Sequence, residues 1–374
     1  MRLDLSDRLV LQEVALPLGV GLLAILQLLM VLQLLQLNEI VFGSAVTLVD
    51  ILRVTAALAP HFLVVAVPLA FMLGIQLGIG RLAGDRELLA LSAAGAHPLR
   101  LFRIPIAIAV VLAAGVGALA HWAEPWGLRQ LNGILNNVIK RNLETGLTSG
   151  VFNDGLPRFM IYVSSQTGDP ERPDWHGVII EDQVGDGAPL LVLANAGKVE
   201  DTEGEAMVLR LRDGELHRIE PHGETVARFA EGTFLVGVQD PVARKNRFAQ
   251  TEAQLTGEAL RTRSAELKRQ GQREEAARLE VERVRRWAVP FACLAFALLG
   301  VPLAARAGGA GGSAYLITLG AFVAFYSMSR LSIALAEAGW NAWVAGLAPD
   351  LIIALAAVPF IVHMARGGVT QRAG

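Results

Sequence analysis

The chain is poor in cysteine and carries no recognisable catalytic signature. Its one cysteine, Cys293, has no second cysteine with which to form a disulfide or a metal site. The seven histidines are scattered, and the one close pair, His217 and His222, has a spacing that suits neither a strand face nor zinc. Phosphate-binding G-x-x-x-x-G-K-S/T loops, H-E-x-x-H pairs and G-x-S-x-G elbows are missing. We therefore predict no catalytic residue, no metal and no cofactor in this chain, so any energy must come from a partner or a gradient.

Charged side chains are missing from six long stretches of a chain that is 53% hydrophobic. These stretches cover residues 14–38, 54–80, 104–123, 287–305 and 307–329, and most of 341–364. A membrane crossing needs about 20 apolar residues at a rise of about 1.5 Å each. We therefore predict six transmembrane helices, split three and three by a polar insert. The first stretch is too long for a removable signal peptide and lacks a cleavage site, so we expect it to stay as a membrane helix.

Lysine and arginine in the short loops predict the orientation, because cytoplasmic loops carry an excess of them. The short loops on one side hold Arg2, Arg8, Arg81, Arg86, Arg100, Arg103, Arg306, Arg366 and Arg372. Those on the other side hold only Arg53. Both termini and the 81–103 loop are thus predicted to be cytoplasmic and the insert external. The net charge of −2 does not bear on nucleic-acid binding, but the basic residues form no single patch interleaved with aromatics, so we predict no nucleic-acid partner.

The insert has the alternating pattern of a β domain. Strand candidates lie at 159–163, 177–182, 190–194, 207–212, 215–219 and 233–238. Asp213 and Gly214 separate two of them, which predicts a tight type I′ hairpin. Many short strands favour a sandwich or jelly roll, whose interior is either packed or open to lipid. We predict a membrane half over 1–123, a β-jelly roll over 124–250, a charged helix over 251–286 and a second membrane half over 287–374.

Few ionisable or strongly polar groups fall within the predicted crossings. Arg330 and Asp350 lie at comparable depths in the fifth and sixth helices. Either they pair with each other or snorkel outward, or Arg330 faces a cavity and holds an anionic headgroup. Gln33 and Gln36 are three apart in the first helix and share a face. They either form interhelical hydrogen bonds or line a polar headgroup pocket.

The loop after the second crossing predicts a short helix from Asp85 to Ala94. Its acids lie at the positive N-terminal end, and Gly95 and then Pro98 end it. The acids either only stabilise the helix dipole or belong to a docking helix. In the second case the apolar face of Leu88, Leu89 and Leu91 would enter a groove on a cytoplasmic partner.

The order of these motifs resembles the LptF/LptG permease family of the lipopolysaccharide exporter. The best segments are APHFLVVAVPLAFMLGIQLGIGRLAGDRELLALSAAG (59–95) and EVERVRRWAVPFACLAFALLGVPLA (280–304). Between them, LTSGVFNDGLPRFMIYV (147–163) is more similar to LptF than to LptG.

The resemblance implies a fold, a location and partners. We expect six transmembrane helices with a periplasmic jelly roll, in the bacterial inner membrane. The implied partners are an LptG-like sister permease, an LptB-like ATPase dimer that binds ATP and magnesium, and LptC-like and LptA-like periplasmic proteins. Lipopolysaccharide would pass from the membrane to a periplasmic bridge. Another ABC-type lipid or lipoprotein exporter and a non-transporting membrane scaffold are the alternatives.

The resemblance also implies site residues. The family's coupling helix falls on about 84–95, with its acidic residue at Glu87 and with Asp85, Arg86, Leu88 and Leu91 beside it. Family members often have Lys or Arg where Gln33 and Gln36 stand in this chain. The lipid contact would then involve these glutamines, or shift to Arg330 or to the cluster of Arg283, Arg285 and Arg286.

Overall fold

The protein consists of long helices and one antiparallel sheet. The computed structural model describes residues 5–36, 47–95, 97–145, 149–153, 159–169, 172–182, 190–200, 206–220, 223–237, 251–307 and 311–367. The chain divides into two compact units. The helical unit comprises Met1–Leu29, Ala59–Trp126 and Glu252–Gly374, and the sheet unit comprises Met30–Leu58 and Gly127–Thr251.

The described helices are α1 (Leu5–Gln36), α2 (Leu48–Gly84), α3 (Glu87–Ala93), α4 (Arg103–Ala118), α5 (Glu124–Thr145), α6 (Thr251–Gln254), α7 (Gly257–Arg269), α8 (Arg273–Ala307), α9 (Gly311–Glu337) and α10 (Ala342–Gly367). Within the described residues, six helical segments are long and apolar enough to cross a membrane, namely Asp7–Leu35, Leu48–Gly84, Pro98–Leu135, Arg273–Ala307, Gly312–Glu337 and Ala342–Arg366. The predicted membrane helical fold with an inserted β domain is confirmed.

Glycines set the closest helix contacts of the helical unit. A methyl group at Gly74 would lie 2.9 Å from Cβ of Leu18 and 3.1 Å from the carbonyl oxygen of Val14, so α1 and α2 touch through their backbones. Gly300 in α8 likewise lies under Met72 of α2. Small residues allow such approaches, which give membrane helices van der Waals contact where burial from water cannot drive association.

The third crossing continues well beyond its uncharged stretch. A π-helical turn, Leu119–Ala123, joins α4 to α5, and helix persists to Thr145. The predicted start of the β domain at 124 lies close to Gly127, where the second segment of the sheet unit begins, but this first part is helical and the first described strand begins at Phe152. The first charge after an uncharged stretch marks where the chain leaves the membrane, but the helix itself can continue beyond it. Residues 124–145 keep a helical stripe of buried side chains, at Leu128, Leu131, Leu135 and Val138.

The sequence predicts a single charged helix over 251–286 after the sheet. The structure has three helices there instead, namely α6, α7 and the first part of α8. After the short α6, α7 ends at Arg269, and Gly271 follows with a left-handed φ of +83°. The amides of Gly271 and Gln272 donate to the carbonyl groups of Lys268 and Leu267, at 3.3 and 3.0 Å. This is the Schellman pattern of a helix end. The turn folds α7 back on α8, where the two helices bury Leu260, Leu267, Ala276 and Leu279.

The described strands form one antiparallel meander in the order β1 to β6. They are β1 (Phe152–Asn153), β2 (Phe159–Asp169), β3 (Arg172–Asp182), β4 (Leu190–Glu200), β5 (Ala206–Glu220) and β6 (Gly223–Gly237). The predicted strand segments at 159–163, 177–182 and 190–194 are confirmed. The segments at 207–212 and 215–219 form one strand, β5, which runs straight through Asp213 and Gly214, so the predicted hairpin is wrong. β6 begins at Gly223, well before the predicted 233–238, and residue 238 lies outside the described residues. The jelly-roll arrangement stays a prediction.

One row of residues interrupts the ladder on all five long strands. The row consists of Ser164, Gly177, Asn195, Asp213 and Ala230, and each falls between two paired positions. Gly177 and Asp213 have left-handed φ values of +60° and +48°. Because every strand carries the irregular residue at the same level, the pairing register is unchanged on both sides. Asp-Gly therefore supplies a strand irregularity here and not a turn.

The buried positions shift by one residue across this row. In β3 the fully buried side chain is Trp175 on one side and Val178 on the other, three residues apart and not two. A side chain at Gly197, on the same side as Trp175, would collide with Leu211 at 2.9 Å. The irregular row thus lets β3, β4 and β5 bury residues on both sides of it although strict alternation is broken.

Candidate functional site

The predicted short helix exists as α3, and its start is strained. The amide of Arg86 donates to the Ala83 carbonyl at 3.1 Å, which closes α2, and Arg86 itself has a left-handed φ of +59°. That conformation is costly for any residue with a side chain. This conformation of Arg86 turns the chain between the end of α2 at Gly84 and the start of α3 at Glu87. Gly95, with a φ of +84°, follows the end of α3.

The apolar side of α3 does not face solvent as a whole. Leu88 is 1% exposed and lies in the core of the helical unit, and Leu91 packs partly against the same core. Leu89, in contrast, is 53% exposed. A docking face made of all three leucines is therefore wrong: Leu88 and Leu91 attach α3 to its own membrane helices. Glu87 and Leu89 are exposed on α3.

Two ion pairs link the approach to α3 with α1. Arg81 Nη1 lies 3.3 Å from Glu13 Oε2, and Arg81 Nε lies 3.7 Å from Asp85 Oδ2. Asp85, Arg86 and Glu87 are all exposed. Exposed pairs contribute about 0–1 kcal/mol each, so these contacts orient Asp85 towards Arg81 more than they stabilise the fold. Glu87 remains as the exposed acid of the first turn.

The predicted partnership of Arg330 and Asp350 is not found. Arg330 donates from Nε and Nη2 to the hydroxyl of Tyr326, at 3.0 and 2.8 Å, and its guanidinium carbon lies 5.2 Å from the ring centroid. Asp350 is 6% exposed, and neither carboxylate oxygen has a hydrogen-bond partner in the described part of the chain. Arg330 is therefore exposed beside the ring of Tyr326, and Asp350 is buried without contact to Arg330.

The other predicted lipid-contact residues lie inside the protein or outside the described residues. Gln33 is only 1% exposed, and the side chain of Gln36 lies outside the described residues. Arg286 is also 1% exposed. Its Nη2 donates to the carbonyl oxygens of Ala253 at 3.0 Å and Glu252 at 3.4 Å, which attaches α6 to α8. Arg286 thus has a place in the folded helical unit and not at its surface.

Arg286 belongs to a buried ion cluster that the sequence interpretation missed. The cluster consists of His61 on α2, Glu124 at the start of α5, and Glu282, Arg285 and Arg286 on α8. Glu124 Oε1 lies 2.8 Å from His61 Nδ1 and accepts from Arg285 Nη2 at 3.0 Å. Glu282 accepts from Arg285 Nε at 2.7 Å and from Arg286 Nε at 3.2 Å. The sequence carries one local signal, which is that Glu124 ends an uncharged stretch. In the structure Glu124 is 1% exposed.

Exposed tryptophans mark the end of the helical unit that carries this cluster. They are Trp122, Trp126, Trp287, Trp340 and Trp343, at the junction of α4 and α5, within α8, and at the start of α10. Tryptophan is enriched at membrane–water interfaces. By chain direction, this end is opposite to α3. The ion cluster lies at this same end, adjacent in sequence to Trp126 and Trp287.

A comparison with protein families identifies the relationship. The chain matches the family model of the lipopolysaccharide export system permease LptF/LptG over residues 8–362. The chain belongs to the LptF/LptG permease family. This confirms the predicted resemblance, and the preference for LptF over LptG stays a prediction. A search of curated proteins returned no match.

As a member of this family, the permease is a multi-pass protein of the inner membrane and a component of lipopolysaccharide export. It is a transport component and not itself an enzyme. The match includes α3, the sheet and all six crossings, so the family assignment applies to both compact units.

Proposed function

We propose that this permease is the LptF-like half of an ATP-driven lipopolysaccharide exporter. An LptG-like sister permease would complete the membrane part, and an LptB-like ATPase dimer would bind ATP and magnesium. LptC-like and LptA-like proteins would receive lipopolysaccharide and pass it along a periplasmic bridge. The observation that carries the proposal is α3, a short helix attached to the membrane core by Leu88 that offers Glu87 and Leu89 to a partner.

The anchored position of α3 suits the transmission of force. ATP-driven closure of a partner can move membrane helices only through an element that does not yield. Leu88 is buried in the same core as Ile79 and Leu82 of α2, so a push on α3 acts on a long continuous helix. Glu87 can pair with a basic residue in the partner's groove through a charge-assisted hydrogen bond.

The orientation supports the same scheme. The arginines at 81, 86, 100 and 103 favour a cytoplasmic α3, because short cytoplasmic loops are rich in basic residues. With α3 in the cytoplasm, both termini are cytoplasmic and the sheet unit is periplasmic. A cytoplasmic ATPase then meets α3, and lipopolysaccharide leaves on the side of the sheet.

Arg330 is the best candidate for a contact with the lipid. It is exposed on α9, and its two hydrogen bonds to Tyr326 hold the guanidinium in place. A guanidinium can bind a phosphate in bidentate fashion, and lipopolysaccharide carries phosphates on its headgroup. Gln33 and Arg286 are less suitable, because each is 1% exposed.

The test is affinity purification of the tagged permease in mild detergent, with partners identified by mass spectrometry. Glu87→Ala should reduce recovery of the ATPase at least fivefold and leave recovery of the sister permease unchanged. Glu275→Ala is the matched control, since Glu275 is also an exposed acid in the first turn of a helix. Equal recovery of the ATPase with Glu87→Ala would reject α3 as the coupling site. Absence of any ATPase from the wild-type complex would favour the scaffold alternative.

A further inference from the structure

The irregular row of the sheet forms one side of a groove. A cavity of about 420 Å³ extends across β2, β3, β4 and β5 at this level. Four members of the row line it, namely Ser164, Gly177, Asn195 and Asp213. Its volume falls within the range of small-molecule sites, about 300–1,000 Å³. We call this cavity the sheet groove.

The sheet groove opens on the face of the sheet that is not buried. Val163 and Val192, on β2 and β4, are no more than 2% exposed. Successive side chains of a strand point to opposite faces, and Ser164, Asn195 and Asp213 are all exposed. The groove is therefore open to solvent without any rearrangement of the sheet, and it is separate from the packed interior.

A short apolar strip lies beside the polar row. Tyr162, Ile179 and Leu193 also line the groove, and they are paired in register across β2, β3 and β4. All three are partly exposed. On β5 the strip ends at Glu215, whose Oε1 accepts a hydrogen bond from Arg228 Nε at 2.7 Å. The groove thus has an apolar strip, with a phenol ring at one end and an occupied carboxylate at the other.

The polar side chains of the irregular row have no partners within the protein. In the part of the chain that the structure describes, the side chains of Ser164, Asn195 and Asp213 make no hydrogen bond or ion pair. Asp213 also has a left-handed φ of +48°, and backbone strain of this kind clusters at binding sites. A hydroxyl, an amide and a carboxylate from three strands therefore line one cavity and are free to bind a ligand.

These groups select an uncharged ligand that is rich in hydroxyls. The acids Asp213 and Glu215 line the groove and, among the described residues, no basic side chain does, which disfavours an anion such as phosphate. A calcium ion takes about 6–8 oxygen ligands, more than one free acid with a single amide and hydroxyl can provide. A carboxylate accepts hydrogen bonds from two neighbouring hydroxyls, and an amide both donates and accepts. The apolar strip complements the C–H face of a sugar ring.

We infer that the sheet groove binds a neutral saccharide unit, with Asp213 and Asn195 bonded to its hydroxyls and Tyr162 against its C–H face. The sugars of lipopolysaccharide are one source of such a unit, and in that form the inference rests on the proposed function. A free neutral glycan is the other source. The chemistry of the groove is the same for both.

The test is a glycan array probed with the full-length permease in labelled nanodiscs. The array carries neutral oligosaccharides cleaved from lipopolysaccharide beside linear glucans of similar length. Binding confined to the first group would identify the transported lipid as the source, and binding to the glucans would identify a free glycan. No binding above that of empty nanodiscs would overturn the inference.

Variants assign any binding to the groove. Asp213→Asn removes the free carboxylate at nearly constant size, and asparagine also tolerates a left-handed backbone. We expect it to weaken binding about tenfold, as for loss of a hydrogen bond to a charged group. Asp174→Asn is the matched control, because Asp174 is an exposed acid of β3 outside the groove. Equal weakening by both variants, or by neither, would overturn the inference.

Two adjacent serines of β2 give a second comparison, which holds if Asp213→Asn does not fold. Ser164 and Ser165 are both exposed, but only Ser164 lines the groove. Ser164→Ala should weaken glycan binding about threefold, as for loss of a neutral hydrogen bond, and Ser165→Ala should not weaken it. The same affinity in both variants would contradict the assignment to the groove.

Titration with calcium chloride and recovery of the ATPase separate the remaining outcomes. Calcium binding that Asp213→Asn abolishes, in a permease that binds no glycan, would overturn the inference in favour of a cation site. If no ATPase binds the wild-type permease, the proposed function fails, and the array still decides whether the groove binds sugar. If the ATPase binds and no glycan does, only this inference fails.

Discussion

Gly78 on α2 lies directly against the backbone carbonyl group of Glu13 on α1. A methyl group at Gly78 would lie 2.7 Å from the carbonyl carbon of Glu13 and 2.9 Å from the amide nitrogen of Val14. Backbone cannot move aside as a flexible side chain can. Gly74, one turn earlier, approaches α1 in the same way. The first two crossings are therefore packed at the closest distance that helices allow, next to the pair of Arg81 and Glu13.

This contact predicts that Gly78→Ala destabilises the permease. Overpacking of this kind costs about 1–3 kcal/mol, and it exceeds the gain of about 1 kcal/mol that alanine brings to a helix relative to glycine. The measurement is the thermal unfolding midpoint in detergent. Gly115→Ala is the control, because Gly115 is also in a helix and a methyl group there would contact nothing within 4 Å. A midpoint for Gly78→Ala equal to or above that of Gly115→Ala would contradict the prediction.

Adjacent leucines of α3 should separate stability from partner binding. Leu88→Ala removes a fully buried side chain, which costs about 2–5 kcal/mol, and should lower the thermal midpoint of the purified permease. Leu89→Ala removes an exposed one and should leave the midpoint unchanged. If Leu89 is an anchor of the ATPase interface, its truncation costs more than about 1 kcal/mol of binding free energy, or about fivefold in Kd.

Each leucine variant serves as the control for the other. Affinity of the ATPase for the permease is measured in nanodiscs at a temperature at which Leu88→Ala remains folded. Unchanged affinity with Leu89→Ala would mean that the partner does not contact the exposed side of α3. A loss of stability with Leu89→Ala would mean that this side chain is buried in the native protein.

The crossings were predictable because the cost of placing charge in lipid acts along the sequence itself. Runs without charge, such as 54–80, identify the membrane helices without any knowledge of packing. The strands were predictable for a similar reason, since alternation of buried residues along 159–163 or 190–194 is local. The same reasoning could not find the end of α5, because a helix that leaves lipid for water keeps its hydrogen bonds.

The ion cluster could not be predicted from the sequence, for a different reason. His61 and Glu124 are distant in sequence and come together only in the folded helical unit, where Glu124 contacts both α2 and α8. No local pattern marks such a pair. Arg330 and Asp350 are the converse case: equal depth in neighbouring helices suggested a pair, but depth does not determine which way a side chain points around a helix. Each residue has a different environment.

Arg330→Ala and Asp350→Ala should therefore have different effects. Arg330 is exposed and contacts Tyr326 within its own helix, so its loss should reduce lipopolysaccharide transport and leave the thermal midpoint unchanged. A buried polar group without a partner costs about 1–3 kcal/mol. Asp350→Ala removes such a group and should keep or raise the midpoint. Transport by proteoliposomes and unfolding in detergent are measured for both variants and for the double variant.

The double variant gives the decisive comparison for this pair. Independent sites should have additive effects on the free energy of unfolding, within about 0.5 kcal/mol. A double variant no worse than either single variant, with both singles impaired alike, would indicate that the two residues are coupled after all. Tyr326→Phe provides a control for Arg330, because it removes only the hydroxyl that accepts from the guanidinium. We expect it to lower transport in the same direction.

The irregular row of the sheet predicts opposite effects for two adjacent residues of β5. Asp213 has a left-handed φ of +48°, and Asp213→Gly should stabilise the sheet by up to about 1 kcal/mol, because glycine adopts that conformation without steric cost. Gly214 has no room for a side chain: a methyl group would overlap the ring of Phe229 and lie 2.6 Å from the carbonyl oxygen of Leu193. Gly214→Ala should therefore destabilise the sheet by about 1–3 kcal/mol.

Hydrogen exchange at the amides of β4 and β5 measures both effects, and Gly214→Ala combined with Phe229→Ala should recover part of the lost stability. Had Asp213 and Gly214 formed the hairpin that their sequence suggests, Phe229→Ala would give no such recovery.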